Sequence, residues 1–326
     1  MANEFTLADY ERTAPDNLSK AVARTWREAS PIMNMLSFRT SGNLSEKVLR
    51  FNSLPAVPWR KIGESFTQLK VNPEPIEERL FFMGAKVDVA YEYVKAQSLI
   101  DIRAAQEEAI MRGAAFAFND VFFNNTPSAD EDAPIGIFYR IVNDLAAVQS
   151  VDSAALDISP DTALTTAVWT NRLFDVVDDA LDRVDGNPNE KVLFMGRTVY
   201  RRFQSACRLS NLLDTTQDNL GRQFLTYGKG GPMVIEAGYK YDQTTQIMAD
   251  AELDDGTALT GGAASSIYCV HFGEPYLSGW CQDMPFAEDV GLTEDRVNYR
   301  TVVKWSPGLF MTHPRSLSRV YALVAA

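Results

Sequence analysis

Histidine, cysteine and clustered carboxylates are the side chains that most often carry acid–base, nucleophilic or metal chemistry, and this chain uses the first two sparingly. Its 2 histidines, His271 and His313, fall in a strand-like stretch and beside Pro314, with no nucleophile pattern such as G-x-S-x-G to accompany them. Both read as structural. A zinc or iron site would need both imidazoles, or thiols and carboxylates gathered from distant segments. Cys207, Cys269 and Cys281 are odd in number and lack C-x-x-C spacing, which fits reduced thiols better than a disulfide framework. Asp250, Glu252, Asp254, Asp255 and Gly256 partly match a calcium loop, but Gly261 stands where a bidentate Glu would be needed, so an ordinary acidic loop is expected. Gly228-Lys229-Gly230-Gly231 departs from the phosphate-binding pattern G-x-x-x-x-G-K-[ST] and reads as a turn. The expectation is a protein that is no enzyme and holds no cofactor and no metal.

With no chemical site in view, the elements themselves must carry the function. The first 45 residues are polar and mixed apart from Asp16 to Ala29, where Leu18, Val22, Trp26 and Ala29 recur at helical spacing and Pro31 should stop the helix. This segment reads as an arm carrying a short helix, not as core. Val48 to Leu54 and Arg79 to Val94 are strand-like; in the second, Val87, Val89, Tyr91 and Tyr93 alternate with Lys86, Asp88, Ala90 and Glu92. Together they predict a long hairpin. Its connection of roughly twenty residues, containing Pro55, Pro58, Gly63 and Pro73, is longer than compact domains usually hold and suits a loop that reaches another molecule.

Ser98, with Asp101 at capping-box spacing, opens a predicted helix to about Phe123, roughly 39 Å long at 1.5 Å per residue. Leu99, Ile102, Ala109, Ile110, Gly113, Phe116, Ala117 and Val121 form its apolar stripe. Gly113, Ala114, Ala115 and Ala117 admit a second backbone, while Phe116 and Phe118 need cover, so the arm, of this or an adjacent subunit, is expected to pack along this rod. Asn124 to Pro134 reads as a solvated loop. Ser159 and Pro160 predict the start of a second helix with Leu173, Val176, Val177, Ala180, Leu181 and Val184 on its buried face. A buried strand at Lys191 to Met195 and a third helix at about Thr198 to Leu213 follow, and from Phe224 the pattern turns to β, with strands at Ser266 to Phe272 and Tyr299 to Trp305.

A chain of 326 residues, 46% hydrophobic and 23% charged, can build two or three compact units with a sizeable core. No apolar run approaches the roughly 18 residues of a membrane span, and Met1 to Tyr10 lacks the regions of a signal peptide, so a soluble product of the cytoplasm with no membrane partner is expected. A formal charge of −12 argues against a dedicated nucleic-acid binder but not against a container for one. That charge is unevenly spread. Between Asp144 and Glu190 ten acids, Asp178 and Asp182 among them, face Arg172 and Arg183, whereas Arg300, Lys304, Arg315 and Arg319 meet no acid from position 300 to the end. Opposed patches suit self-association, although solvated faces of one subunit are the plainer reading of any single residue.

This order of parts resembles the major capsid proteins of tailed bacteriophages and their Hong Kong 97 fold. The resemblance rests on Ala133-Pro134-Ile135-Gly136-Ile137-Phe138 after the long helix, on the helix, Val192-Leu193-Phe194-Met195 strand and helix that follow, and on the ending Tyr299-Arg300, Trp305 to Met311 and Pro314 to Val320. It implies an α+β fold with an N-terminal arm at 1–45, an extended E-loop hairpin at 46–95, and a P-domain spine helix with its following loop at 96–144. An axial A-domain would occupy 145–265, and return strands of both domains 266–326. The implied function is a structural shell: hexamers and pentamers of the chain forming an icosahedral head around double-stranded DNA held without sequence-specific contacts, built in the bacterial host cytoplasm and kept in the virion. A portal protein and decoration proteins would be its partners, and scaffolding, if needed, would come from a separate protein, since the chain starts directly with the arm. An encapsulin nanocompartment built on the same fold is the near alternative, and an α/β enzyme the distant one.

Under this reading the subunit-interface residues are Trp59, Arg60, Lys61 and Phe66 at the hairpin tip, Trp26 in the arm, and the charged residues Asp178, Asp182, Arg300, Arg315 and Arg319. A loop showing Trp59, Ile62 and Phe66 to water would be an aggregation liability unless a neighbour covers them. Some members of the family join subunits by a Lys–Asn isopeptide bond; Lys61 or Lys70 with Asn298 are loosely placed for one, but surface residues making ordinary contacts are the plainer reading.

Overall fold

The computed structural model describes residues 5–14, 16–51, 54–95, 102–159, 164–217, 223–248 and 264–324. In chain order the arm gives β1 (Phe5–Thr6), α1 (Leu7–Thr13), α2 (Asn17–Ala29), α3 (Pro31–Met35) and β2 (Ser37–Thr40). Ser30 serves two helices: its N–H closes α2 onto the Trp26 carbonyl, and its hydroxyl caps α3 by accepting from Met33 N–H at 3.2 Å. Pro31 thus ends one helix and occupies the first turn of the next, where its missing N–H costs nothing.

The arm is core, contrary to the sequence expectation. Leu7, Val22, Trp26, Ile32, Met33 and Leu36 are all buried within the chain, and β2 is a central strand flanked by β1 and a strand from the far end of the sequence. The error came from mean polarity: α2 is strongly two-faced, and its narrow apolar stripe is enough to fasten it.

The hairpin pairs β3 (Ser45–Arg50) with β4 (Glu74–Arg79), antiparallel, with Val48 opposite Ile76. The stretch read as one long second strand is two. After β4 the chain turns through residues 80–82 and continues as β5 (Met83–Ala90), which pairs with a late strand instead of with β3, and Tyr91 and Tyr93 belong to the short helix α4 (Tyr91–Lys95). The spine α5 (Ile102–Asn124) follows; the expected opening at Ser98 lies outside the described residues.

Beyond the spine come α6 (Ile137–Tyr139), a π-turn at Arg140–Asp144, β6 (Ser150–Asp152), α7 (Thr166–Arg183), β7 (Lys191–Met195) and α8 (Arg197–Leu209). Helix α7 starts at Thr166, later than expected, and Pro160 lies outside the described residues. Helix α8 stops short of Leu213 because Asn211 takes a left-handed φ of 53°. There the N–H groups of Asn211 and Leu212 return to the carbonyls of Arg208 and Cys207. The chain ends with β8 (Leu213–Gln217), β9 (Gln223–Tyr227), β10 (Met233–Glu236), β11 (Ala264–His271), β12 (Leu277–Cys281), β13 (Phe286–Leu292), β14 (Asn298–Trp305), β15 (Pro307–Met311) and β16 (Leu317–Val324). Gly228 and Gly230 make the expected turn, both with positive φ, and the acidic stretch 250–256 is outside the described residues.

These strands form a seven-stranded mixed sheet (β6-β16-β11-β7-β10-β9-β8), a four-stranded sheet (β1-β2-β12-β15), a three-stranded sheet (β13-β14-β5) and the hairpin β3-β4. The seven-stranded sheet separates two cores. Leu193, Met195, Ile267 and Cys269 face α7 and α8, while Val192, Phe194, Tyr268 and Val270 face the spine. Covering on both faces explains why every residue of β7 is buried. At the spine's end Phe122 and Phe123 meet Phe194, with ring centroids 5.4 Å apart for Phe123. Further along, Trp305 of β14 lies edge-on to Trp26 at 4.9 Å and against Phe118 at 4.8 Å, joining strand, arm and spine.

Candidate assembly surface

Between Arg50 and Glu74 the hairpin leaves the body of the protein. Its base is well anchored. Val48 and Leu80 pack on Trp280 and Phe310, and Arg39 lies over the Phe310 ring at 4.6 Å while pairing with Glu46. Alternation along β3 and β4 also turns Arg50 and Glu78 inward. Glu78 accepts two hydrogen bonds from Arg140 at 2.6 and 2.8 Å, a bidentate pair with both partners buried. Arg50 donates to the carbonyls of Asp144 and Met311, and burial together with the nearby Arg140 lowers its pKa. Burial raises the pKa of the Asp144 carboxyl in the same cluster. Sequence reading missed this group because its alternation mixes Val48 with Arg50 and Ile76 with Glu78; two inward charges of opposite sign on paired strands were the available signal.

The loop beyond that anchor is bare. Leu54, Val57, Trp59, Ile62 and Phe66 are each at least 78% exposed, and Trp59 is 100% exposed. Local order comes from a turn in which Glu64 accepts from the Lys61 N–H at 3.0 Å, Gly63 adopts φ 93°, and the Arg60 guanidinium covers the Phe66 ring at 4.3 Å. Lys61 and Lys70 are exposed on the same loop. Five large apolar side chains held clear of any core form a surface that binds something or aggregates.

Most of the other expected interface residues make contacts within the chain. Trp26 is 1% exposed and Arg319 is 1% exposed, so neither offers its side chain to a neighbour. Arg319 bonds the Ser266 hydroxyl at 3.0 Å and lies over the Phe138 ring. Arg300 makes a bidentate cross-strand pair with Asp88, both contacts 2.7 Å. Arg315 donates to the carbonyls of Asp182 and Arg183, capping the last turn of α7. Asp178 is hydrogen-bonded by Tyr227, with burial raising its pKa, and Asp182 keeps an exposed side chain. Arg315 thus meets the acidic segment within one subunit, through the main-chain carbonyls that end α7 and not through its acids.

All three cysteines are free and buried, and burial pushes each thiol up to about 12. Among the described residues there is no His, Cys, Asp and Glu cluster suited to a metal ion, and no helix is long and apolar enough to cross a membrane. An apolar groove of about 470 Å³ runs between the spine and the three-stranded sheet, lined by Ile110, Gly113, Ala117, Met83 and Val303.

Neither protein-family models nor curated proteins give a match to the sequence. Solved structures do. The capsid subunit of a native GTA particle superimposes with a TM-score of 0.57 over 91% of this chain and 90% of its own, at 14% identity. An encapsulin from Synechococcus elongatus PCC 7942 gives 0.55 over 92% and 90%, at 15% identity. The Microbacterium phage Oxtober96 structure gives 0.53 over 89% and 90%, again at 15% identity. At such identities what is shared is the course of the chain, over about nine-tenths of its length. The chain has the α+β, Hong Kong 97-like fold of phage-capsid and encapsulin subunits.

Proposed function

We propose that this chain is the major capsid protein of a tailed bacteriophage: a non-enzymatic shell subunit that assembles with its own copies, as hexamers and pentamers, around double-stranded DNA. The observation that carries the reading is the apolar loop around Trp59, projected from a rigidly anchored hairpin on a fold whose solved examples are shell subunits. A monomeric protein gains nothing from five uncovered large side chains, whereas a subunit that hides them on a neighbour gains the energy of closing the shell. Residues around the seven-stranded sheet would lie near the ring centres and the spine and three-stranded sheet towards the periphery. Scaffolding, portal and decoration proteins would complete the particle.

The decisive experiment is electron microscopy and sedimentation of the purified full chain, alone and with proteins encoded beside it. Closed shells holding DNA support the proposal. Shells holding an enzyme would assign the chain to an encapsulin compartment, and monomers or dimers under all conditions would remove the shell function altogether.

A further inference from the structure

The chain crosses directly between its seven-stranded and four-stranded sheets at two places, residues 272–276 from β11 to β12 and residues 312–316 from β15 to β16. Both histidines of the sequence stand at these crossings. His271 closes β11 and stacks on Tyr276, with ring centroids 3.7 Å apart, and His313 meets the same Tyr276 ring edge-on at 5.1 Å. The turn between α7 and β7 supplies the other side. The Asp185 carbonyl lies 2.7 Å from His271 Nδ1, and its carboxylate lies 3.6 Å from His313 Nε2 and accepts from the Tyr276 hydroxyl at 3.3 Å. Glu190 stands 3.8 Å from His271 Nε2. Gly186 is required in this turn: its φ is 101°, and a Cβ there would sit 2.2 Å from the His271 ring. Residues as far apart in sequence as Asp185, Tyr276 and His313 thus form one clamp over both crossings.

We propose that this Asp185–Tyr276–His271–His313 clamp is an acid-sensitive latch on the hinge between the two sheets, released when His313 takes up a proton. The hydrogen bonds set the direction. His313 Nδ1 accepts from the Arg315 backbone N–H at 3.2 Å, which leaves the neutral tautomer with its proton on Nε2, aimed at Asp185. A second proton on Nδ1 would face that N–H donor and break the turn. The charged groups around the ring are Asp185 across from it, Arg315 on its own segment and His271 beyond Tyr276; Glu190 and Lys191 lie on the far side of His271. Burial, reinforced by Arg315 and His271, holds His313 below the usual histidine value despite Asp185. Although burial alone would raise Asp185, the Gly186 N–H, His313, Tyr276 and Arg315 hold it low, so it stays ionised while histidine titrates. A histidine with a depressed folded value stabilises the neutral form. The latch is therefore intact above the ordinary histidine value and weakens as pH falls towards the depressed one.

Hydrogen exchange of the full chain, corrected for intrinsic rates, between about pH 7.5 and pH 5 covers the range in which histidine titrates. Segments 272–276 and 312–316 should lose protection several-fold relative to β7 across that range, and His313→Gln should abolish the dependence while keeping neutral-pH protection. Tyr276→Phe, which keeps the stack and loses the hydroxyl, should lower protection at neutral pH but leave the pH response in place. Unchanged protection in the natural protein, or parallel loss in His313→Gln, would overturn the latch. So would an NMR titration placing His313 at or above the ordinary value, its signal being the one of the 2 imidazole signals that His313→Gln removes.

Discussion

Replacing Trp59 by alanine should separate folding from assembly, and the structure sets the size of each effect. Within the subunit Trp59 is 100% exposed, so truncating it removes no core contact and subunit stability should stay within about 0.5 kcal/mol of the natural protein. In an assembled shell a buried Trp removes roughly 150–250 Å² from water, a gross gain of about 4–6 kcal/mol at 25 cal/mol per Å². Ordering the loop and imperfect fit reduce that, and about 2 kcal/mol is the usual net loss when a central aromatic anchor is truncated. Two kcal/mol per contact corresponds to a rise of about 30-fold in the concentration needed for assembly. Light scattering against protein concentration would measure the threshold, and urea unfolding of the unassembled subunit would measure the fold. An unchanged threshold would show that the loop binds nothing in the shell. A loss of subunit stability above about 2 kcal/mol would show that Trp59 is not the free side chain described here.

Three further perturbations test the interior. Glu78→Ala should destabilise the subunit by about 3–5 kcal/mol in urea unfolding, because it strands the buried Arg140 guanidinium at the hairpin base. Gly136→Ala should cost about 1–3 kcal/mol in the same assay, since its Cβ would lie 2.8 Å from Asn125 N and 2.9 Å from the Phe123 carbonyl at the end of the spine. The thiols of Cys207, Cys269 and Cys281, pushed up to about 12, should resist alkylation in the native protein and react on unfolding. At about pH 8 only about one in ten thousand would be thiolate, so mass-spectrometric labelling of the native protein at the unfolded rate would refute their burial.

What was legible in the sequence was the order of elements, and the reason is local. The strand at Lys191–Met195, the buried face of α7 around Leu173 and Val177, and the glycine turn at 228–231 all announce themselves within a few residues. Pairings between distant segments were not legible. Strand β5 alternates cleanly, which declares a strand but not its partner, and the partner is β14, more than two hundred residues on. The hairpin tip was found because Trp59, Ile62 and Phe66 sit among prolines, a composition that no compact core would use. Arg319 was misjudged because net charge along a segment is silent about whether a guanidinium is already occupied, here by Ser266 and a ring.

The spine shows most clearly where periodicity runs out. The predicted stripe of Ile110, Gly113, Ala117 and Val121 is only half-buried, while Met111, Ala115, Phe118, Asn119 and Phe122 form the fully buried face. Both faces are apolar, so a search for a single stripe had two answers and chose the one lining the open groove. A helix with two apolar faces must be covered on more than one side. Here α2 and the three-stranded sheet cover part of it and the seven-stranded sheet closes over its end. The bond from the Ser30 hydroxyl to Asn119 explains why a polar residue sits in the buried face: it is the point at which the arm is fastened to the spine. Packed this way, Leu7, Val22 and Trp26 of the arm are core of their own subunit. Among the described residues the longest stretch whose large apolar side chains the subunit leaves uncovered is the loop around Trp59, and the proposed contact between neighbours rests on it.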